Sequence, residues 1–251
     1  TLYSFLQKIY STEIKIITIE DPIEYHLSGI SQTQVEEDKG YSFLEGLRSA
    51  LRQDPDVIMV GEIRDSETAK VAVESALTGH LIFSTLHTNN AAGVIPRLID
   101  LGVNPKILVS ALSLSIAQRL VRRLCLSCRE EISPSKEQQE IIKKISENAK
   151  NHNKDFSTYR IDINKEIKIF KPVGCPLCNG TGYKGQIGIF EAIHNNKEIE
   201  AIIPNNPSER EIKEIAQNQG TLNIREDGLI KILRGITSFE EVGGVVDFYE
   251  E

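Results

Sequence analysis

The segment DPDVIMVGEIRD (residues 54–65) sets four consecutive apolar side chains, Val57–Val60, between residues that favour turns. A short apolar run without polar alternation is typical of a strand buried on both faces of a parallel sheet. Glu62 follows this run directly, and open sheets of this kind bind ligands beyond the carboxyl ends of their strands. We therefore predict a central strand that presents Glu62 at a ligand-binding edge.

Two further apolar runs lie on either side of this segment, at residues 14–19 and 81–86, and both favour strands. Amphipathic segments at 43–51 and 66–78 separate the three runs and favour helices. Strands that alternate with helices indicate an α/β fold with a mainly parallel sheet. The sequence also predicts helices over 90–101 and 105–120 and a short hairpin over 28–34.

Polar residues follow each of the three predicted strands. Residues 20–25 supply carboxylates on a turn that contains proline, and residues 78–90 supply imidazoles, hydroxyls and amides. Such groups can activate water, hold Mg²⁺ or polarise a phosphate. Taken singly, a carboxylate after a strand is usually a helix cap, and a lone histidine is usually a core residue. The functional interpretation therefore depends on three clusters at successive strand ends of one sheet.

The four cysteines form two Cys-x-x-Cys pairs, Cys125 with Cys128 and Cys175 with Cys178. Two such pairs supply the four thiolates of a structural tetrahedral Zn²⁺ site. The Asn-Gly that follows the second pair tolerates positive φ, which lets backbone N–H groups turn toward the sulfurs. Two disulfides and four unrelated buried thiols are the alternatives. Residues 129–174 separate the pairs, so a zinc ion would staple an insertion.

The composition is that of a soluble globular protein, with 40% hydrophobic and 26% charged residues in 251. No run reaches the roughly 20 apolar residues of a membrane span. Paired thiols without a secretory signal fit a reducing compartment, which favours metal over disulfides. The net charge of −7 argues against wholesale nucleic-acid binding, although the basic cluster Arg119, Arg122 and Arg123 is either a local contact patch or a solvated face. Residues 133–168 predict a helical excursion with a polar stretch at 148–155, and short helices follow after 208.

Residues 1–10 predict an amphipathic helix, because the apolar residues Leu2, Phe5, Leu6 and Ile9 share one face. Neither an initiator Met nor an N-cap precedes this helix. We expect the numbering to begin inside a structural element.

The motifs together resemble the GspE/PilB-type secretion ATPases. Residues 18–25 look like the Asp box of that family, residues 51–65 like its Walker B segment, and residues 79–90 like its His box. The two cysteine pairs, with the glycine-rich 180–185 after the second, match its tetracysteine motif. Four motifs in the same order make the resemblance specific, and it covers essentially the whole chain.

The resemblance implies a RecA-like P-loop NTPase core with a zinc-binding insertion and a C-terminal helical region. Residues 1–123 would form the ATPase core without its Walker A loop, and residues 124–185 the tetracysteine zinc subdomain. Residues 186–251 would complete the ATPase domain with a strand and helices.

ATP, Mg²⁺ and Zn²⁺ are the implied substrate and cofactors. By this resemblance Glu62 orients or deprotonates the attacking water, and Glu20 or Glu24 lies near Mg²⁺ and the γ-phosphate. Arg64 is a further arginine that could pair with these carboxylates or reach a neighbouring subunit. The other residues that the resemblance places at the nucleotide or a subunit interface are Asp21, His80, His87, Arg48 and Arg52.

Proteins of this family are homo-hexamers that act on an inner-membrane platform protein and move pilins or pseudopilins. The resemblance therefore implies a cytoplasmic protein, peripheral at the cytoplasmic face of the inner membrane, that binds no nucleic acid.

One departure from the family pattern bears on activity. The Gly-x-x-x-x-Gly-Lys-Thr phosphate loop, which in the family directly precedes the helix that residues 1–10 resemble, does not occur in this sequence. We expect negligible ATPase activity from residues 1–251 alone. The alternative hypothesis is a non-catalytic module whose zinc-stapled part only docks a partner. A RecA-like nucleic-acid motor is disfavoured by the acidic charge balance.

Overall fold

A computed structural model describes residues 1–154, 156–159, 161 and 166–249 of the chain. These fold as two compact units, Thr1–Ser113 with Asn195–Ile212 and Leu114–His194 with Lys213–Glu251. The segment boundaries predicted at 123/124 and 185/186 differ from those of the units, and the three-segment division stays a prediction. Parts of the predicted excursion (155, 160 and 162–165) and of the predicted last segment (250 and 251) lie outside the described residues.

The secondary structure alternates strands with helices through the first unit. The strands are β1 (Ile16–Glu20), β2 (Ser31–Gln34), β3 (Val57–Val60), β4 (Leu81–Ser84), β5 (Leu114–Leu124), β6 (Glu130–Ile132), β7 (Ile169–Lys171) and β8 (Tyr183–His194). The helices are α1 (Leu2–Ile9), α2 (Phe43–Leu51), α3 (Ser66–Leu77), α4 (Val94–Asp100), α5 (Pro105–Ala111), α6 (Lys136–Asn151), α7 (Lys197–Ile202), α8 (Glu209–Ala216), α9 (Ile224–Leu233) and α10 (Phe239–Gly243).

The first unit is built on a four-stranded sheet in the order β2-β1-β3-β4, and all three pairings are parallel. Every residue of β1 and β3 is buried, as predicted for strands covered on both faces. Leu6 of α1 is fully buried and packs with Ile16 and Met59. The predicted α/β fold with a parallel sheet is confirmed.

Side-chain caps set the starts of the two helices that flank β3. Ser42 accepts a hydrogen bond from the backbone N–H of Glu45 at the start of α2, at 3.3 Å. Asp65 accepts one from the N–H of Thr68 at the start of α3, at 2.8 Å. Each cap satisfies an N–H group that has no partner within the helix. The capped start of α3 leaves the loop after β3 short, which keeps Glu62 close to the sheet edge.

Two predictions of secondary structure were wrong. The segment at 28–34 is no hairpin, because β2 pairs with β1 in parallel. The helix predicted over 105–120 ends at Ala111, and Leu114–Leu124 forms β5. Along β5 Ser115 and Val121 are buried while Leu114 and Leu120 are exposed, and the strand pairs with β8 along its length. Tertiary pairing therefore overrides the local helical pattern.

The second unit combines two antiparallel strand pairs, β5 with β8 and β6 with β7, with the helices α6, α9 and α10. Its core gathers apolar side chains from all these elements, among them Val121, Ile142, Ile189, Leu229 and Val242. Helix α6 lies within the predicted excursion. Across the described residues, no helix combines the length and the apolarity that crossing a bilayer requires.

A buried ion pair lies inside the second unit. Nζ of Lys154 is 2.9 Å from Oε2 and 3.1 Å from Oε1 of Glu226, and the two side chains are 2% and 1% exposed. Glu226 also accepts from the backbone N–H of Asn223 at 2.8 Å and so caps α9. The carboxylate is thus compensated by a charge and by a backbone donor, as burial of a charge requires.

Candidate functional site

The carboxylate of Glu62 lies just past β3 between two nitrogen donors. Its Oε1 is 2.6 Å from Nη2 of Arg64, and its Oε2 is 2.9 Å from Nε2 of His87. The Glu62 side chain is 15% exposed, whereas the side chains of both partners face solvent. Both oxygens of a largely desolvated carboxylate are therefore engaged.

The loops after β3 and β4 are tied together, and this brings Glu62 and His87 to one place. The backbone N–H of Ile63 donates to the carbonyl of Thr85 at 3.0 Å, and the hydroxyl of Thr85 donates to the carbonyl of Gly61 at 2.7 Å. Because the two strands are parallel neighbours, their carboxyl ends meet at the same sheet edge. The predicted meeting of these two clusters is thus realised for Glu62 and His87.

Two opposing effects set the protonation of Glu62. Burial by itself would raise the pKa of the carboxyl, but hydrogen bonds from Arg64 and His87 outweigh burial, and the pKa lies below its ordinary value. The group is therefore an ionised acceptor. It could orient a water molecule if one of its two partners released an oxygen.

Glu20, at the end of β1, is buried and 4% exposed. Its Oε1 accepts from the hydroxyl of Thr18 at 2.5 Å and from Nε2 of Gln32 at 3.0 Å, and its Oε2 accepts from the hydroxyl of Tyr3. Burial and the hydrogen bond to Glu20 raise the pKa of Tyr3 to about 12. Glu20 is thus held inside the unit by three donors.

Asp21 and Glu24, by contrast, are exposed. The backbone N–H of Glu24 donates to the Tyr3 hydroxyl at 3.3 Å, which ties the segment after β1 to α1. Glu20, Asp21 and Glu24 together form the acidic cluster. Asp21 and Glu24 face solvent, so they are the members of this cluster that a bound cation could reach.

Three predicted site residues lie apart from Glu62. His80 precedes β4, whereas His87 follows it, so the two histidines lie at opposite ends of this strand. The Nδ1 atom of His80 lies 3.2 Å from the Thr78 hydroxyl and 3.1 Å from a backbone carbonyl oxygen. Arg48 and Arg52 lie on α2 and at its C-terminal end. Arg48 pairs with Glu45 at 2.9 Å, and Arg52 donates to the hydroxyl of Ser49 at 3.0 Å. Both arginines therefore have partners within their own unit.

Sequence reasoning missed two residues that form hydrogen bonds with Glu20, namely Tyr3 and Gln32. Tyr3 follows Leu2 in the predicted helix, but it is not one of the residues that the apolar spacing places on the buried face. Gln32 contacts Glu20 because β2 lies parallel to β1 with Gln32 opposite Thr18. A hairpin in its place would give a different register, so the missed signal was the pairing of β2.

The four cysteine sulfurs form one cluster and lie within 4.8 Å of one another. The Sγ–Sγ distances are 3.9 Å between Cys125 and Cys175, 3.8 Å between Cys128 and Cys178, and 3.7 Å between Cys175 and Cys178. A disulfide would need about 2.05 Å, and all four thiols are free. The four thiols thus form one cluster that could hold a metal ion, as the predicted shared site requires.

The spacing of the sulfurs fits a tetrahedral metal site. Four sulfurs at about 2.3 Å from one ion would be about 3.8 Å apart. Asn179 and Gly180 adopt left-handed backbone, with φ of 52° and 76°, as predicted for a knuckle. Backbone N–H groups of Cys175 and Gly182 lie 3.2 Å from the sulfur of Cys178. Burial alone would raise the pKa of the Cys178 thiol, but these donors lower it and favour the thiolate.

Comparison with known proteins shows similarity to one family of proteins. A family model described as "Type II/IV secretion system protein" matches residues 1–244. The chain is 46% identical over 242 residues to the type IV pilus assembly ATPase PilB of Thermus thermophilus, covering 96% of this chain and 26% of that protein. It is 43% identical over 244 residues to the type II secretion system ATPase E of Vibrio cholerae, covering 96% and 44%. The chain spans less than half the length of these relatives.

Solved structures share the fold. The pilus retraction motor PilT with bound ADP is 27% identical, with a TM-score of 0.62 over 98% of this chain and 56% of that chain. The ATPase DotB of Yersinia pseudotuberculosis is 20% identical, with a TM-score of 0.64. The matched region covers 99% of this chain and 54% of the DotB chain. The second similarity supports the fold alone.

Proposed function

Because the chain belongs to the type II/IV secretion system protein family, we propose that it contributes the water-activating and metal-binding parts of a motor ATPase. The motor powers type II secretion or type IV pilus assembly. The observation that carries the proposal is the Glu62 carboxylate, held beside His87 at the carboxyl edge of the parallel sheet. Ligands of open α/β sheets bind at this edge.

The chemistry we assign is hydrolysis of the γ-phosphate of ATP. Glu62 orients the attacking water and accepts its proton, and His87 senses the phosphate next to it. The exposed carboxylates of Asp21 and Glu24 are the groups that would hold Mg²⁺, directly or through water, and the bound ion would neutralise charge on the phosphates. Glu20 supports this segment from inside the unit.

We assign the remaining predicted residues to contacts between subunits. His80 lies before β4, at the sheet edge opposite to Glu62, and the exposed Arg48 and Arg52 lie on α2 and at its C-terminal end. Residues in such positions can complete a neighbour's site in a ring, and a homo-hexamer is the assembly we propose. Its partner is the inner-membrane platform protein at the cytoplasmic face of that membrane. The net charge of −7 speaks against nucleic acid as a partner.

The tetracysteine cluster has a structural role in this proposal. A Zn²⁺ ion held by Cys125, Cys128, Cys175 and Cys178 ties β5 and β8 to the segment between the pairs. Sites with four protein ligands leave no open position for substrate, so the ion supplies folding energy and no chemistry.

The test is made on the full-length gene product that contains residues 1–251. We expect Mg²⁺-dependent ATP hydrolysis and a mass corresponding to a hexamer in light scattering with ATP. A stable monomer under these conditions would contradict the ring. Absence of hydrolysis in the full-length protein would favour the alternative, a docking module without catalysis.

A further inference from the structure

The hydroxyl of Tyr3 lies where α1 meets the acidic segment after β1. It donates to Oε2 of Glu20, and it accepts from the backbone N–H of Glu24 at 3.3 Å and from Nε2 of Gln32 at 3.4 Å. One oxygen atom thus contacts the buried end of β1, the exposed turn after it and the neighbouring strand β2.

The Glu20 carboxylate is surrounded by hydrogen-bond donors of its own unit. Its two oxygens receive the Tyr3 hydroxyl, the Thr18 hydroxyl and the Gln32 amide, and the residue is 4% exposed. Three hydrogen-bond donors around one buried carboxylate fix its position. The high pKa of Tyr3, about 12, keeps the phenol protonated, so that the phenol remains the donor in this pair.

The helix that carries Tyr3 is itself firmly anchored. Leu6, one turn along α1, is fully buried against Ile16 of β1. The Tyr3 ring also packs edge-on against Tyr25, with ring centroids 4.7 Å apart. Tyr3 is therefore a rigid link between a helix packed on the sheet and the segment that presents Glu24.

We propose that Tyr3 is a positioning residue of the hydrolytic site, acting through Glu20 to hold the Asp21–Glu24 segment where its exposed carboxylates meet the substrate's metal. The proposal rests on the proposed function and divides the acidic cluster into two roles. Glu20 is the internal anchor, and Glu24 and Asp21 face the ligand.

The experiment compares Tyr3→Phe with Tyr10→Phe in the full-length gene product. Phe keeps the ring and its packing and removes only the hydroxyl. The hydroxyl of Tyr10, at the other end of α1, makes no hydrogen bond within the described part of the chain, which makes it a matched control. We expect Tyr3→Phe to lower kcat for ATP about tenfold, the scale of one lost hydrogen bond to a charged group, with KM within about twofold.

A double-mutant cycle separates positioning from general loss of structure. If Tyr3 acts through Glu20, the kcat cost of Tyr3→Phe shrinks when Glu20 is already replaced by Gln, so the two losses are not additive. Thermal unfolding of each variant checks that the fold is kept. If Tyr3→Phe does not fold, Glu20→Gln alone still tests the anchor, with a kcat loss at unchanged KM expected.

Two results would overturn the role proposed for Tyr3 while leaving the proposed function intact. One is normal kcat in Tyr3→Phe while the unmodified protein hydrolyses ATP. The other is a Tyr3→Phe cost in kcat that is the same in the unmodified protein and in the Glu20→Gln variant. Absence of hydrolysis in the unmodified protein would instead overturn the proposed function and, with it, the role of Tyr3.

Discussion

Nε2 of His87 lies 2.9 Å from Oε2 of Glu62, so the end of β4 holds the carboxylate at the end of β3. The histidine ring is 78% exposed, while the carboxylate it contacts is 15% exposed. An exposed imidazole therefore contacts a carboxylate that solvent hardly reaches. Arg64 occupies the other oxygen of the same carboxylate.

Removing this contact should raise the pKa of Glu62. With His87→Ala, burial still favours the neutral acid and one of two opposing donors is lost, so the pKa moves up toward or beyond its ordinary value. Carboxyl NMR titration measures the shift. The control is His26→Ala, since His26 is exposed and its ring has no hydrogen bond or ion pair among the described residues. An unchanged Glu62 pKa in His87→Ala would contradict the contact.

The same lowered pKa predicts the sign of a stability change with pH. The folded state favours ionised Glu62, so its contribution is present above the ordinary pKa of 4.5 and is lost as the pH falls through the lower, folded value. Glu62→Gln should abolish this loss of folding stability at acid pH. Thermal unfolding measured across the acid range tests the expectation. Because the partners are exposed, we expect the contribution to be about 1 kcal/mol or less.

The buried pair in the second unit predicts a large effect on stability. Glu226→Gln leaves the ammonium of Lys154 buried without a counter-charge and should lower the free energy of unfolding by about 3–5 kcal/mol. Urea titration measures this loss. The control is Glu147→Gln in the exposed pair with Lys143, which should cost less than about 0.5 kcal/mol. Equal effects of the two substitutions would show that burial does not govern the Lys154–Glu226 pair.

For the tetracysteine cluster we predict one zinc ion per chain in native mass spectrometry. Cys175→Ser should lower zinc content and speed hydrogen exchange near the cluster before it affects β3, because the ion staples the segment between the pairs and not the sheet. Ser127→Ala, between two ligands, is the control that should keep the metal. Absence of metal together with free alkylation of all four thiols would refute the site.

The sequence predicted the parts of this molecule that depend on local composition. Val57–Val60 is buried on both faces, as an uninterrupted apolar run requires, and the cysteine pairs converge as their spacing indicates. Residues 114–120 form a strand because they pair with β8, which lies about 70 residues away in sequence. Such a partner is invisible in a local pattern.

The acidic cluster shows the same limit at the level of single residues. Glu20 and Glu24 are equivalent in sequence as carboxylates after a strand, yet one is buried and the other exposed. The difference comes from Tyr3 and Gln32, which reach Glu20 from α1 and β2. Only the packing of these elements places the two carboxylates in different environments.

We predict negligible ATPase activity for residues 1–251 by themselves. Phosphoryl transfer needs the phosphates to be positioned as well as a base for water, and the sequence contains no Gly-x-x-x-x-Gly-Lys-Thr loop. A phosphate-release assay with Mg²⁺ and ATP tests this on the isolated chain. Vigorous Mg²⁺-dependent hydrolysis by these residues would mean that the nucleotide site has been placed wrongly.

The most direct test of the account is the turnover of Glu62→Gln in the full-length gene product. Gln keeps the shape of the side chain but cannot accept a proton, so nucleotide binding should persist while kcat falls about 100-fold or more. Glu74→Gln, the same change at an exposed position of α3, should leave kcat unaltered. Near-normal turnover in Glu62→Gln would remove Glu62 from the mechanism and contradict the central claim.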